Sequence, residues 1–148
     1  SRALLNAATE RVGDAVALVQ GDATRLPLAA DCIDLAVYVA TLHHLPSRDA
    51  RRASLDELAR VLAPGARALV SAWSTAHDRF DAAADAETGF DTTVEWTLPR
   101  GESVPRFYHV YAPSEFERDV AASDLRLVSL ELSSGNCYGV VEPEGKRT

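Results

Sequence analysis

The residues best equipped for chemistry stand in three short polar segments, each following an apolar run: Gly21-Asp22-Ala23, Thr41 to Leu45 (TLHHL) and Ser71 to Ser74 (SAWS). A carboxylate such as Asp22 is an acceptor, the adjacent imidazoles His43 and His44 can donate or accept, and Trp73 offers a face for stacking. Farther on, RFYHVY (Arg106 to Tyr111) and SGNCYGVVE (Ser134 to Glu142) add a guanidinium, an imidazole (His109) and an amide (Asn136). An arginine fork holds a carboxylate through two parallel hydrogen bonds. The two cysteines, Cys32 and Cys137, show no C-x-x-C or Cys/His spacing, so no metal site is expected and both are read as reduced and buried.

The elements that must position these groups alternate between strand and helix patterns. Ala15 to Val19 (AVALV) and Leu35 to Ala40 (LAVYVA) are short apolar runs that read as buried parallel strands, separated by the turn around Pro27 and Asp31. Residues 1 to 10 carry a helical stripe of Leu4, Leu5 and Ala8. From Ser47 the period changes again, with Leu55, Leu58, Ala59 and Leu62 on one helical face and Pro64-Gly65 as the stop. Arg67 to Trp73 reads as a third strand.

Residues 74 to 106 are too long for an idle connection, and are expected to cover a site or to carry some helix of their own. Ser114-Glu115-Phe116-Glu117 has the form of a capping box opening a short helix. LRLVSLEL and NCYGVVE, around Gly135-Asn136, read as two antiparallel strands joined by a tight turn. Strand and helix in alternation give an α/β sheet covered by helices, with ligands beyond the carboxyl ends of its strands.

Composition narrows the partners. A 148-residue chain with 47% hydrophobic and 25% charged residues is a globular domain. No apolar run is long enough to cross a bilayer and no export signal is visible, so a cytoplasmic protein with no membrane partner is expected. The basic residues are fourteen arginines and Lys146 alone, against 22 acids, for a net charge of −7. That excludes a uniformly basic nucleic-acid surface, and RNA would have to be held by local arginine clusters. Acidic, lysine-poor composition fits a salt-adapted organism or a GC-rich genome.

GDATRLPL, DLAVYVATLHHL and ELARVLAPGARALVSAW, in this order, resemble the class I S-adenosylmethionine-dependent methyltransferases, whose sheet is Rossmann-like. RFYHVY and SGNCYGVVE are similar to the tRNA methyltransferases that esterify 5-carboxymethyluridine at the wobble position. The resemblance implies a partial methyltransferase domain: residues 1–73 as the cofactor-side core, 74–106 as a site-covering insertion, and 107–148 as a C-terminal helix and strands.

It also implies roles. Asp22 would accept from the adenine amino group, the Ala23 backbone would meet the ring, and the Val39 and Ala40 backbone would flank the methionine moiety of S-adenosyl-L-methionine. The alternative for Asp22 is an Asx turn or helix cap. Arg106 would clamp the acceptor carboxylate, with His109 or His43 donating a hydrogen bond and Asn136 positioning the uracil edge. Tyr108 and Tyr138 are expected to pack, whereas Trp73 could serve as core or as a stacking surface.

The sequence departs from the family in three places. Pro64-Gly65-Ala66 replaces a Gly-Gly turn, Cys137 stands where a large aromatic is common, and no G-x-G segment occurs. The chain therefore reads as the C-terminal two-thirds of a methyltransferase, with two family strands expected between AVALV and LAVYVA. AVALV then becomes an outermost strand whose unguarded edge is expected either to receive another chain, for which the resemblance implies a small zinc-binding activator protein, or to be covered by a loop of the missing N-terminal region. A small-molecule O- or C-methyltransferase, or a non-catalytic interaction module derived from one, are the competing readings.

Overall fold

The computed structural model describes residues 2–80, 87–98 and 101–145. Its centre is a four-stranded sheet in the order β1-β2-β6-β5. β1 (Ile33–Tyr38) runs parallel to β2 (Leu62–Trp73), with Tyr38 beside Val70. β6 (Asn136–Pro143) pairs antiparallel with β2 and with β5 (Leu125–Ser133). This is the expected mixed α/β sheet with its terminal antiparallel pair. Between β2 and β5 lies a separate two-stranded sheet of β3 (Phe90–Thr97) and β4 (Ser103–Val110).

The helix after the second polar segment forms as its periodicity requires. Ser47 caps α2 (Arg48–Val61), its Oγ accepting from the Ala50 N–H at 3.1 Å. The stripe Leu55, Leu58, Ala59 and Leu62 is buried to 2% exposure or less. It packs with Val70, Phe116, Val120 and Val141 in one core. Each such side chain taken from water contributes about 1.5–3 kcal/mol before entropy is counted. β2 enters directly from α2, so Pro64 and Gly65 sit within the strand and the helix has already ended at Val61.

Several expectations need correction. Ala15 to Val19 is not a strand: Val16, Leu18 and Val19 are exposed, at 55, 38 and 57%. A strand needs a neighbour for its N–H and C=O groups, and none lies beside this segment among the described residues. The ladder edges left open in the described sheet are those of β1 and β5, so the 15–19 segment offers no ladder edge there for an activator protein to extend.

The insertion carries a β-hairpin rather than helix in its described part, and Thr92, Thr93, Val94 and Trp96 are the β-preferring residues that signal it. The capping box does not form. The N-cap of α3 (Pro113–Ala121) is Ala112, two residues before Ser114, with Pro113 in the first turn, and the Ser114 hydroxyl donates instead to the Glu87 carbonyl at 3.0 Å. Cys137 is buried as expected, but Cys32 is exposed.

The terminal hairpin turns through Ser134-Gly135, both at positive φ (49° and 73°), one residue before the expected position. α1 (Arg2–Val12) has no buried residue, and only Leu5 and Ala8 of its stripe are half-buried.

Gly139 sets the tolerance of the core. A Cβ there would stand 2.8 Å from Phe116 Cε1 and 3.1 Å from Leu127 Cδ1, and Phe116 is wholly buried and has no room to move. Gly139→Ala is expected to destabilise the fold by about 1–3 kcal/mol through overpacking, read as a lower urea midpoint at unchanged slope. An unchanged midpoint would mean that β6 and α3 are not packed this closely.

Candidate active site

Parallel pairing brings the carboxyl ends of β1 and β2 to one level, and the chain turns sharply there. Ala40 adopts a left-handed φ of 53°, and its N–H is held by Ser71 Oγ at 3.3 Å. Such a backbone costs a non-glycine residue of order 1 kcal/mol and is maintained only by its surroundings. The Val39 carbonyl accepts from Thr41 Oγ1 at 3.2 Å. Below this turn, Tyr38 is fastened to α2 by a short hydrogen bond between its hydroxyl and Ser54 Oγ.

The loop bearing Asp22 is fastened to the same helix. Glu57 Oε2 accepts from the Leu26 N–H at 2.7 Å, while Arg60 donates to the Leu28 and Leu26 carbonyls at 2.9 and 3.0 Å and to Glu57. The loop then faces the end of β1 across an apolar hollow of about 410 Å³, lined by Ala17, Val19, Gly21, Ala23, Tyr38 and Thr41 among others.

Asp22 does form an Asx turn: its Oδ1 accepts from both the N–H and the hydroxyl of Thr24, each at 2.8 Å. These bonds hold its carboxyl below the usual carboxylate range. Its Oδ2 has no hydrogen-bond partner among the described residues. An apolar hollow lined by small residues such as Gly21 and Ala23, with the carboxylate of Asp22 carried between them in the chain, fits the adenine end of an adenosyl group.

His43 is 3% exposed and accepts, through Nδ1, the Trp73 backbone N–H at 3.1 Å. That bond fixes the neutral tautomer with its proton on Nε2. Burial, then His44 and Arg106, push the His43 pKa down to about 4. His44 donates from Nδ1 to the Phe107 carbonyl at 3.1 Å. The Tyr108 ring lies 5.0 Å from His43, 4.5 Å from His44 and 4.3 Å from Trp73, stacked on the last at 18°. Trp73 and Tyr108 are thus one packed pair.

Arg106 and His109 do not act together. Residues three apart on a strand point to opposite faces, so Arg106 shares the Tyr108 face while His109 turns away. His109 is buried between two carboxylates, Nδ1 at 2.7 Å from Asp91 Oδ1 and Nε2 at 3.3 Å from Glu115 Oε1. Glu115 also accepts from the Gly89 N–H at 2.5 Å, so His109 ties the β3–β4 hairpin to α3 and is not open to an acceptor.

The half-buried Arg106 guanidinium lies 4.7 Å over the Trp96 ring. Asn136 pairs with Trp73 across β2 and β6, its Nδ2 donating to the Ser134 carbonyl at 2.9 Å. It lines a separate hollow of about 590 Å³ at the hairpin tip. Sequence reasoning missed Trp96 and the Glu57–Arg60 pair, whereas Ser71 lies in a segment it singled out and Tyr108 packs as expected. Among the described residues, no group of His, Cys, Asp and Glu has the arrangement of a metal site, and no helix is long and apolar enough to cross a membrane.

This architecture is the class I methyltransferase fold, and residues 1–70 match the family described as "Methyltransferase domain". An S-adenosylmethionine-dependent methyltransferase from Clostridium acetobutylicum superposes with a TM-score of 0.73 at 10% identity, over 98% of this chain and 73% of that one. The fold is that of the S-adenosylmethionine-dependent methyltransferases, and the match to a methyltransferase domain lies in residues 1–70.

More particularly, the chain is 33% identical over 111 residues to a protein of Encephalitozoon cuniculi named for a methyltransferase activity, covering 73% of this chain. It spans 50% of the length of that relative. Over 53 residues it is 38% identical to the tRNA (carboxymethyluridine(34)-5-O)-methyltransferase of Arabidopsis thaliana, covering 36% of this chain and 13% of the relative.

The depressed His43 pKa has a consequence for stability. An unfolded histidine takes up a proton near pH 6.5, whereas folded His43 resists until about pH 4. Its contribution is therefore full above about pH 6.5 and is lost as pH falls toward 4. His43→Phe is expected to remove that part of the acid dependence and, by leaving the Trp73 N–H without its acceptor, to cost about 0.5–1.5 kcal/mol at neutral pH. Imidazole NMR titration and urea melts check both, and a His43 titrating near 6.5 would contradict the assignment.

Proposed function

We propose that the protein transfers a methyl group from S-adenosyl-L-methionine to the carboxylate of 5-carboxymethyluridine at the wobble position of tRNA. One observation carries this reading above others: the half-buried guanidinium of Arg106 has no carboxylate partner among the described residues and bears electrostatically on His43, which is neutral. A cation so placed favours an anionic acceptor. The 53-residue similarity to a tRNA carboxymethyluridine methyltransferase supports the same acceptor.

When bound, the cofactor supplies a methyl group activated on a positively charged sulfur. Asp22 Oδ2 and the Ala23 backbone hold the adenine end, and the Val39-Ala40 backbone flanks the methionine end. An acceptor carboxylate is already ionised at neutral pH and needs no base. Arg106 holds it and the Nε2–H of His43 donates to it, fixing one oxygen for in-line attack while the other stays engaged. A neutral donor orients the nucleophile without adding a second positive charge that would weaken it. Asn136 lines a different hollow at the β5–β6 hairpin tip and is given no part in holding the acceptor. Catalysis is then chiefly proximity and orientation.

In the full-length protein, Arg106→Ala is expected to raise the KM for tRNA about 10- to 100-fold, the worth of a charge-assisted bidentate contact of about 1.5–3 kcal/mol, with S-adenosylmethionine affinity unchanged. Asp22→Ala should do the reverse, weakening the cofactor and sparing tRNA. Unaltered esterification in Arg106→Ala would overturn the acceptor.

A further inference from the structure

Four described arginines are buried or half-buried: Arg51, Arg52, Arg60 and Arg106. Arg51 donates to the Leu45 carbonyl, Arg52 to Asp119 and Arg60 to Glu57 and two carbonyls. Arg106 donates to no oxygen among the described residues, in a chain with 22 acids from which to draw a partner. What it has instead is an aromatic face, that of Trp96, 4.7 Å from Cζ.

The hairpin register explains the pairing. Thr92 stands opposite Tyr108, Val94 opposite Arg106 and Trp96 opposite Val104, so Tyr108, Arg106 and Trp96 share one face. At one end of that face Tyr108 is packed on His43, His44 and Trp73. At the other end Trp96 remains 47% exposed. An exposed tryptophan covering one face of a partly desolvated guanidinium leaves the edge fork of N–H groups free in a fixed plane. An anion then meets a preset fork, and a flat ring carrying that anion meets an indole beside it.

Resting on the carboxylate reading above, we propose that Trp96 is a specificity-determining residue of the acceptor site. Together with Arg106 it forms a composite subsite for a planar heterocycle bearing a short carboxylate arm, and discriminates against carboxylates without a ring. Trp96 sets the plane of the fork and contributes ring contact, and Arg106 takes the charge.

The test is calorimetry on the full-length protein saturated with S-adenosylhomocysteine, using 5-carboxymethyluridine nucleoside and acetate as probes. The unmodified protein should prefer the nucleoside. Trp96→Ala should shrink that preference about three- to tenfold, Trp96→Phe should restore most of it, and cofactor affinity should not change. A preference that survives Trp96→Ala while Arg106→Ala abolishes nucleoside binding would overturn the role of Trp96 and leave the carboxylate reading standing. Nucleoside binding that is absent, or insensitive to Arg106→Ala, would overturn both.

Discussion

The end of β2 is the junction on which the site depends. The Trp73 N–H goes to His43 Nδ1 at 3.1 Å, and its carbonyl accepts from the Tyr111 N–H at 2.8 Å. The next two amides donate to Gly135 and Tyr111, each at 2.9 Å. Three separate parts of the chain are thereby fixed to one strand terminus: the turn after β1, the β3–β4 hairpin and the turn between β5 and β6. Each of these bonds is modest in net terms, but a displaced strand end would leave several backbone groups unpaired together. The tautomer of His43, the seat of Tyr108 and the approach of Arg106 all follow from this junction.

Its legibility in the sequence was uneven, for physical reasons. α2 could be read from Ser47 to Leu62 because cap and stripe are local features and the core confirms both. The parallel strand ends, and hence the grouping of residues 39–45 and 71–74, followed from alternation of elements. Ala15 to Val19 has the local signature of a strand, but a strand is a pairing, and apolarity does not report whether a neighbour exists.

The capping box failed in the same way. Ser114 has the right sequence context, yet Pro113 opens the helix earlier and the Glu87 carbonyl competes for the hydroxyl. The separation of Arg106 from His109 was legible once residues 106–109 are taken as a strand, since an interval of three reverses the face. The Glu57–Arg60 clamp, in contrast, joins positions more than 25 residues from the loop it holds and leaves no local signal.

The electrostatic arrangement separates structural charge from reactive charge. Asp119, fully buried, is shared by Arg48 and Arg52, and His109 lies between Asp91 and Glu115. These groups are partnered with one another, although Asp119 Oδ2 and His109 Nε2 make no hydrogen bond among the described residues, and they bind the hairpin and helices together. Arg106 has no carboxylate partner among the described residues, and under the proposed function it is left to the acceptor anion. Removing one partner from a matched set strands a buried charge, whereas altering Arg106 changes what the site binds.

That account requires no titrating base, and the pH dependence of single-turnover methyl transfer to 5-carboxymethyluridine tRNA by the full-length protein examines this directly. The rate is predicted to be flat from about pH 6 to 8, since the acceptor carboxylate is ionised and His43 neutral throughout that range. A rate that climbs through an ionisation near neutrality would show that a base removes a proton in the transfer, and would contradict the assignment of a carboxylate acceptor held by Arg106 and His43.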